Sequence, residues 1–325
     1  MTDPVPQSKF PVIFLNNTAV MRLPVRLGVL EAVDFKESFQ QFLEQSPVPN
    51  QFILDFSQTT FIDSCGIGAL VSNQKSARAK GVELRLRGVP AQVMAVLEMT
   101  GLDKILTLEA LDEPKLSAAP LTTHPSVRSP VKRFLDIVGA LVGLGITAIL
   151  LIPIAIAIKL DSPGPIFFGQ IRLGWMGRRF RIWKFRSMYI DAEARKHLIQ
   201  NEADAKIFKN DNDPRITPVG RFLRKTSLDE LPQFWNVLKD EMSLVGTRPP
   251  TPNEVDIYEV PEWQRLDVKP GMTGEWQVNG RSKVRDFQDI IELDLSYQKN
   301  WSLLYDLKLI LKTILVVFSK DSGAV

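Results

Sequence analysis

Phe134-Leu-Asp-Ile-Val-Gly-Ala-Leu-Val-Gly-Leu-Gly-Ile-Thr-Ala-Ile-Leu-Leu-Ile-Pro-Ile-Ala-Ile-Ala-Ile158 is a run of 25 residues whose only charge is Asp136. As a helix it is long enough to cross a bilayer core of about 30 Å, and length alone favours a single span. Three features oppose that reading. Lys132 and Arg133 flank one end and Lys159 the other, so the charge asymmetry orients the segment only weakly. Pro153 removes a helical hydrogen bond and favours a bend. The soluble stretches on both sides read as cytosolic, and one span cannot place both on the same side. A re-entrant helical hairpin over 134–158 meets all three. No secretory signal is expected ahead of it, because the N-terminal stretch carries Pro4 and Pro6 and no apolar run.

Upstream, residues 113–130 form a linker: Pro114, Pro120, Pro125 and Pro130 sit among Ser, Thr and Ala with almost no large apolar residues. Residues 10–112 read as a small α/β domain. Gln51-Phe-Ile-Leu-Asp-Phe56 suits a buried strand, and Gly66 to Ala79 has helical spacing with Ile67, Leu70, Val71 and Ala77 on one face. After Gly81, Val82-Glu-Leu-Arg-Leu-Arg87 alternates as a half-buried strand does, and Pro90 to Met99 is a second helix closed by Gly101. Strand, helix, strand and helix in that order imply a layered sheet with helices packed on it.

Downstream of 162 the chain is α-rich and mixed. Ser162 to Ile190 contains no acidic residue but carries Arg172, Arg178, Arg179, Arg181, Lys184 and Arg186. Such a run is a solvated face, or it holds lipid headgroups or a ligand's phosphates. Leu231 to Leu238 reads as helix. Residues 302–318 are strongly apolar with Asp306, Lys308 and Lys312 on an imperfect polar stripe. That pattern fits an interfacial amphipathic helix or a core helix of the soluble part.

Composition narrows the function classes. A net charge of +3 over 325 residues is too small to imply nucleic-acid binding. The single cysteine, Cys65, excludes an internal disulfide and fits a reducing compartment. With one Cys and two His, His124 and His197, a zinc site of the usual kind is not expected. Magnesium needs only one or two carboxylates plus substrate phosphates, so it stays open.

The stretch richest in chemistry runs from Asp213 to Gln233. Ser227-Leu-Asp-Glu230 matches a capping box, which would give Glu230 a purely structural duty, although Pro232 sits awkwardly in such a helix. The same geometry allows chemistry. A carboxylate at a helix start is stabilised as an anion, so Asp229 is a candidate nucleophile toward phosphorus. Two adjacent carboxylates repel, which suits one of the pair Asp229 and Glu230 to proton transfer, and magnesium would relieve that repulsion. Arg224 is placed to hold phosphate oxygens bidentately. The turn-rich stretches Gly246-Thr-Arg-Pro-Pro250 and Gly271 to Arg281 carry Arg248 and Arg281, and ligand contacts concentrate in such loops.

Residues from about 131 to 320 resemble the bacterial sugar transferases, the monotopic phosphoglycosyl transferases that start lipid-linked glycan assembly. The resemblance is carried by Lys132-Arg-Phe-Leu-Asp136, Ser162-Pro-Gly-Pro-Ile-Phe-Phe168, Lys184-Phe-Arg-Ser-Met188 and Ser227-Leu-Asp-Glu-Leu-Pro-Gln233. Asn236-Val-Leu-Lys239, Met242-Ser-Leu-Val-Gly246 and Val278-Asn-Gly-Arg281 continue it. It implies a re-entrant membrane helix, dependence on Mg2+ and a two-step reaction. Asp229 would attack the sugar-bearing phosphorus of a nucleotide-diphosphosugar, with Glu230 as base or metal-side carboxylate and Asp229 near the metal. Polyprenyl phosphate would then take the phosphosugar. Arg224, Arg248, Pro249, Lys184, Arg186 and Arg281 would contact phosphate or substrate, and Lys132 and Arg133 would meet the membrane surface. Two positions depart from the family pattern. Thr247 stands where Gly-Pro-Arg-Pro is common, which resembles the branch using hexose donors, and Ile152 rather than Ser precedes Pro153.

The domain at 10–112 resembles a STAS domain through Phe61-Ile-Asp-Ser-Cys-Gly-Ile-Gly-Ala-Leu70 and Leu97-Glu-Met-Thr-Gly-Leu102. In anti-sigma-factor antagonists of that family the serine matching Ser64 is phosphorylated; otherwise Ser64 is a helix N-cap. The resulting expectation is an α/β STAS-like domain followed by an α-rich, mixed, membrane-associated catalytic domain on the cytoplasmic face of a bacterial plasma membrane. Its partners would be nucleotide-diphosphosugar, polyprenyl phosphate, membrane lipids and an unidentified protein bound by the STAS domain. A homodimer is compatible with this. The rival reading is a non-catalytic membrane scaffold, for which the set Asp229, Glu230, Arg224 and Arg248 has no use. A STAS-tailed transporter fails because one or two apolar segments cannot build a multi-span bundle.

Overall fold

Four successive buried residues, Phe52 to Asp55, mark a strand covered on both faces. The computed structural model describes residues 10–15, 18–44, 48–109, 123–203, 210, 212–279, 284 and 286–318. The chain packs as two units. In the first, β1 (Val12–Leu15), β2 (Thr18–Arg22), β3 (Arg26–Leu27), α1 (Val29–Glu44), β4 (Gln51–Asp55), β5 (Phe61–Ile62), α2 (Ser64–Ala79), β6 (Glu83–Arg87), α3 (Ala91–Thr100) and β7 (Thr107–Leu108) follow in order. Five strands form one sheet, β1-β2-β4-β6-β7, with β1 antiparallel to β2 and the rest parallel. Register places Leu54 of β4 between Met21 and Leu86, all three buried. The α/β layering expected for this part is present. The same unit takes in residues 176–178 and Glu259–Asp267, the latter mostly a 3-10 helix, Val260–Leu266.

Ser64 is not the N-cap of α2. Asp63 is, its carboxylate accepting from the Gly66 N–H at 2.9 Å, which leaves Ser64 as the first helical residue.

The second unit is α-rich: α4 (Pro125–Arg128), α5 (Pro130–Asp161), β8 (Phe167–Leu173), β9 (Arg179–Phe185), α6 (Pro218–Lys225), α7 (Phe234–Leu238), β10 (Ser243–Val245), α8 (Pro252–Val255), β11 (Gly271–Thr273), α9 (Glu275–Asn279), α10 (Phe287–Asn300) and α11 (Leu303–Phe318). Among the described residues two strand pairings accompany the helices: β8 with β9 antiparallel, β10 with β11 parallel. Residues 110–122, most of the expected linker, lie outside the described residues, and α4 already occupies part of its end.

The apolar run is one continuous helix of 32 residues, without a separate turn between two helical arms. Pro153 lies inside it, and the helical turns on both sides carry the chain through the missing N–H. At 1.5 Å per residue it is about 48 Å long. One stripe faces the unit: Lys132, Asp136, Ala140, Gly143, Thr147, Ile154 and Ile158 are buried. The opposite face exposes Phe134, Val138, Leu141, Val142, Ile149, Ile152 and Ile156, and only 22% of the most apolar stretch is buried. A core helix of a soluble unit would be covered far more completely.

The polar stripe expected on α11 divides in two. Lys308 is exposed, whereas Asp306 is 3% exposed and paired with Lys132 of α5. The outer face of α11 presents Leu304, Leu307, Leu311, Ile314 and Leu315.

Candidate active site

Thr217 caps α6 by accepting from the Gly220 N–H, and Arg224 falls on the last turn, where its Nε donates to Ser187 Oγ at 3.0 Å. Ser227 then adopts a left-handed conformation, φ +56°, and a 3-10 helix runs from Leu228 to Gln233. The expected capping box does not form. The tight turn gives the Glu230 N–H to the Ser227 carbonyl at 3.2 Å, so the serine hydroxyl has no cap donor to accept from. Glu230 is thereby released from capping. Its Oε1 lies 2.8 Å from Lys184 Nζ on β9.

Asp229 is 5% exposed, with Arg224 as a charged neighbour. Burial lowers the affinity of the Arg224 guanidinium for its proton, and Asp229 is the strongest influence opposing this, followed by Asp213 and Glu230. Asp213 itself is tied to Arg215 by a buried two-pronged ion pair. Burial pushes the Asp213 carboxyl up, but the hydrogen bonds from Arg215 hold it below the usual carboxylate range.

The other half of the site is built on β10 and β11. The backbones of Gly246 and Thr247 bond Thr273 and Gly271 at 2.9 and 2.8 Å. A Cβ at Gly246 would sit 2.1 Å from the Lys269 carbonyl, so only glycine fits this approach. Arg248 follows, forking onto Glu254 at 3.2 and 3.2 Å and lying over the Trp276 ring at 5.8 Å. Glu254 is fixed at the start of α8 by a true capping box with Thr251. Arg172 of β8 donates to the Pro249 carbonyl at 3.0 Å and to Gln170 at 2.7 Å, with Glu254 4.0 Å away. Burial opposes ionisation of Glu254, yet Arg248, Arg172 and the Thr251 N–H bring its pKa to about 2. Burial, then Arg248, lowers Arg172 to about 10 against the pull of Glu254 and Glu230. The Glu230 charge reaching Arg172 places the two halves within one electrostatic field.

The structure brings Asp229, Glu230, Lys184 and Arg224 together, with Arg248 and Pro249 in the adjoining cluster. The Arg186 guanidinium is engaged at the end of α5. It is 5% exposed and donates to the Ser162 and Pro163 carbonyls at 2.6 and 2.8 Å, closing the C-terminus of α5. Lys132 does not face a membrane surface either: it is 5% exposed, 2.6 Å from Asp306 and 3.1 Å from the Val245 carbonyl. A charge so buried requires a partner, and Asp306 is that partner. Arg133 donates to the Val237 and Leu238 carbonyls at the end of α7. Ser64 is fully buried, and Arg281 lies outside the described residues. Sequence reading gives Arg172 only as one member of the basic run 162–190 and does not single out Glu254 or Trp276; Thr251-Pro-Asn-Glu254, a capping-box pattern, is the available signal for Glu254.

Among the described residues no three His, Cys, Asp or Glu side chains gather as a metal site. Asp229 and Glu230 are two adjacent oxygen donors, which fits magnesium that takes its remaining ligands from a diphosphate and water.

Residues 127–320 match the family described as bacterial sugar transferase, and residues 10–113 match the STAS domain. The chain is 52% identical over 191 residues to the galactosyl transferase CpsE of Streptococcus agalactiae serotype III, covering 57% of this chain and 42% of that protein. It is 45% identical over 199 residues to the undecaprenyl-phosphate galactose phosphotransferase of Salmonella typhimurium, covering 59% and 41%. To the exopolysaccharide production protein ExoY of Rhizobium meliloti it is 38% identical over 189 residues, covering 56% of this chain and 83% of that one. The chain therefore spans less than half the length of the first two relatives.

Proposed function

Since the chain belongs to the bacterial sugar transferase family through residues 127–320, we propose that it transfers a sugar 1-phosphate from a nucleotide-diphosphosugar to a polyprenyl phosphate such as undecaprenyl phosphate. The observation that carries this reading is the buried Asp229 facing Arg224, with Glu230 held by Lys184 beside it. In the first step an Asp229 oxygen bonds the sugar-bearing phosphorus. The bond from that phosphorus to the bridging oxygen breaks, and nucleoside monophosphate leaves with the electron pair. In the second, a polyprenyl phosphate oxygen attacks the same phosphorus and the bond to Asp229 breaks. The products are polyprenyl-diphosphosugar and the restored carboxylate. Arg224 neutralises charge on the transferring phosphoryl group, and Glu230 accepts a proton from the acceptor phosphate. Mg2+ would be held by Asp229 and Glu230 and, when bound, would screen the diphosphate and stabilise the departing monophosphate.

Relatives named for galactose transfer and the Thr247 position both favour a hexose donor. The outer faces of α5 and α11 would enter lipid at the cytoplasmic face of the bacterial plasma membrane. We place both ends of α5 on that face, with the bend at Pro153; a cysteine at either end that reacts only with external thiol reagents in intact cells would overturn this topology. No observation favours the scaffold reading.

The test is nucleoside monophosphate release with polyprenyl phosphate, magnesium and a panel of nucleotide-sugars. Release with one donor, dependent on lipid and lost in Asp229→Asn, is the expected result. Nucleoside diphosphate in its place would mean ordinary glycosyl transfer and would end the phosphoryl-transfer reading.

A further inference from the structure

Two stretches from within the transferase match, 176–178 and Glu259–Asp267, are packed into the N-terminal unit. The larger one rests on the first turns of α2. Ser64 has no exposed surface, and its Oγ lies 2.7 Å from the Trp263 carbonyl and 2.6 Å from Asp267 Oδ1. The Ser64 N–H donates to the same Asp267 oxygen at 3.1 Å. One turn on, a Cβ at Gly68 would meet the Trp263 indole at 2.6 Å, and its three nearest atoms would all belong to that ring. The indole therefore lies directly against the α2 backbone. A Cβ at Gly177 would lie 3.3 Å from the ring. On α1, Lys36 pairs with Glu259 at 2.8 Å. Trp263, Arg265 and Leu266 are all at least nine-tenths buried.

This is a built recognition surface: a glycine-floored slot for one aromatic ring, a buried hydroxyl reading a carbonyl and a carboxyl, and a cation at the edge. Its occupant is supplied by the same chain. The occupied segment also has informative neighbours in sequence. Glu254, which fixes Arg248, precedes Glu259 by five residues. Asp267 is followed at once by Val268 to Thr273, whose Pro270 and Gly271 pack on Thr247.

We propose that the α1–α2 face of the STAS domain is an intramolecular receptor for Glu259–Asp267, and that holding this segment fixes the two substrate-facing stretches joined to it, 248–255 and 268–273. The docking rests on contacts alone; its consequence for donor binding rests on the transferase reading. The domain then works in cis, as a clamp on the polypeptide between Glu254 and β11, and any other ligand of this face must first displace Trp263.

Hydrogen–deuterium exchange of the full-length protein in nanodiscs tests this with two variants from opposite sides of the slot. Gly68→Ala adds one methyl group that meets only Trp263 among its nearest atoms, at a helical position that favours alanine. Trp263→Ala removes the ring. Both variants should exchange about ten-fold faster over 259–267, and faster also over 248–255, while β4 and β6 keep parental protection. Parental rates over 259–267 in both variants would overturn the docking. Faster exchange there with 248–255 unchanged would overturn the coupling. Donor KM should rise several-fold with the lipid KM unmoved, and an unmoved donor KM would likewise count against the coupling. A parent protein silent with every donor would defeat the transferase reading and leave the exchange result to decide the clamp.

Discussion

Lys184 Nζ and Glu230 Oε1 stand 2.8 Å apart across β9 and the Leu228–Gln233 turn, each side chain 27% exposed. A pair this open to water contributes only about 0–1 kcal/mol to stability. Its consequence lies in chemistry: it fixes Glu230 beside Asp229 at the point where the capping box fails to form. Lys184→Met should leave thermal unfolding nearly unchanged while lowering monophosphate release by about 10²-fold or more. A loss of several degrees in unfolding temperature with undiminished turnover would assign the pair to folding instead.

Glu254 holds two guanidiniums, Arg248 and Arg172, and its own carboxyl is brought down to about 2. A depressed carboxyl stabilises the fold above its unfolded pKa, near 4.5, and that contribution disappears as pH falls toward 2. The shift corresponds to stability on the order of 3 kcal/mol at neutral pH. Glu254→Gln should therefore unfold earlier than the parent at pH 7, and the two should converge in acid. It should also raise the donor KM, since Arg248 loses the carboxylate that aims it. Parallel stability curves from pH 7 to pH 3 would show that the carboxylate is not the source.

Lys132 and Asp306 join the first turn of α5 to α11, and Tyr297 and Trp301 donate to the same carboxylate at 2.9 and 3.1 Å. Removing one member of a buried pair leaves the other uncompensated, a loss of about 3–5 kcal/mol. Asp306→Asn and Lys132→Met should each lower the unfolding temperature of the detergent-solubilised protein sharply, and the double variant should recover part of it. Lys132→Met that unfolds normally but no longer pellets with membranes would restore the lysine to a headgroup role.

That pair also shows where sequence reading stops. Lys132 beside an apolar run reads as a headgroup contact because its partner lies 174 residues away. Gln51–Asp55, Ser64–Ala79 and Glu83–Arg87 were legible because period-2 and period-3.6 patterns are local. Asp229, Glu230, Lys184 and Arg224 were legible because short ordered motifs carry them. Arg172 meets Glu254 only when β8 and α8 come together, a pairing that the local capping-box pattern of Thr251 to Glu254 does not encode. Pro153 favours a bend from sequence alone, and α5 stays helical on both sides of it, because a helix packed along a whole stripe tolerates one lost hydrogen bond. Nothing in Val-Pro-Glu-Trp-Gln-Arg-Leu266 announces that the N-terminal unit takes it up.

Asp267, at the end of that segment, carries a pH signature. Burial is the main cause that raises its pKa to about 6, with the Asp63 carboxylate adding to it and two hydrogen bonds from Ser64 opposing it. Asp63 is itself raised, by burial first and by Glu31 in part. Asp63, Ser64 and the buried Cys65 thiol are groups of the N-terminal unit that face Asp267. A carboxyl raised above its unfolded value near 3.8 favours the folded unit while protonated, so stability falls as pH climbs from about 4 to about 6. Asp267→Asn keeps an oxygen to accept from Ser64 and removes the charge. Scanning calorimetry should find this variant more stable than the parent at pH 7.5, by roughly 1–3 kcal/mol, with the advantage gone by pH 4. A variant that is less stable than the parent at pH 7.5 would mean that the ionised carboxylate is an asset to the Ser64 contact. The clamp would then tighten, not loosen, as the medium becomes more alkaline.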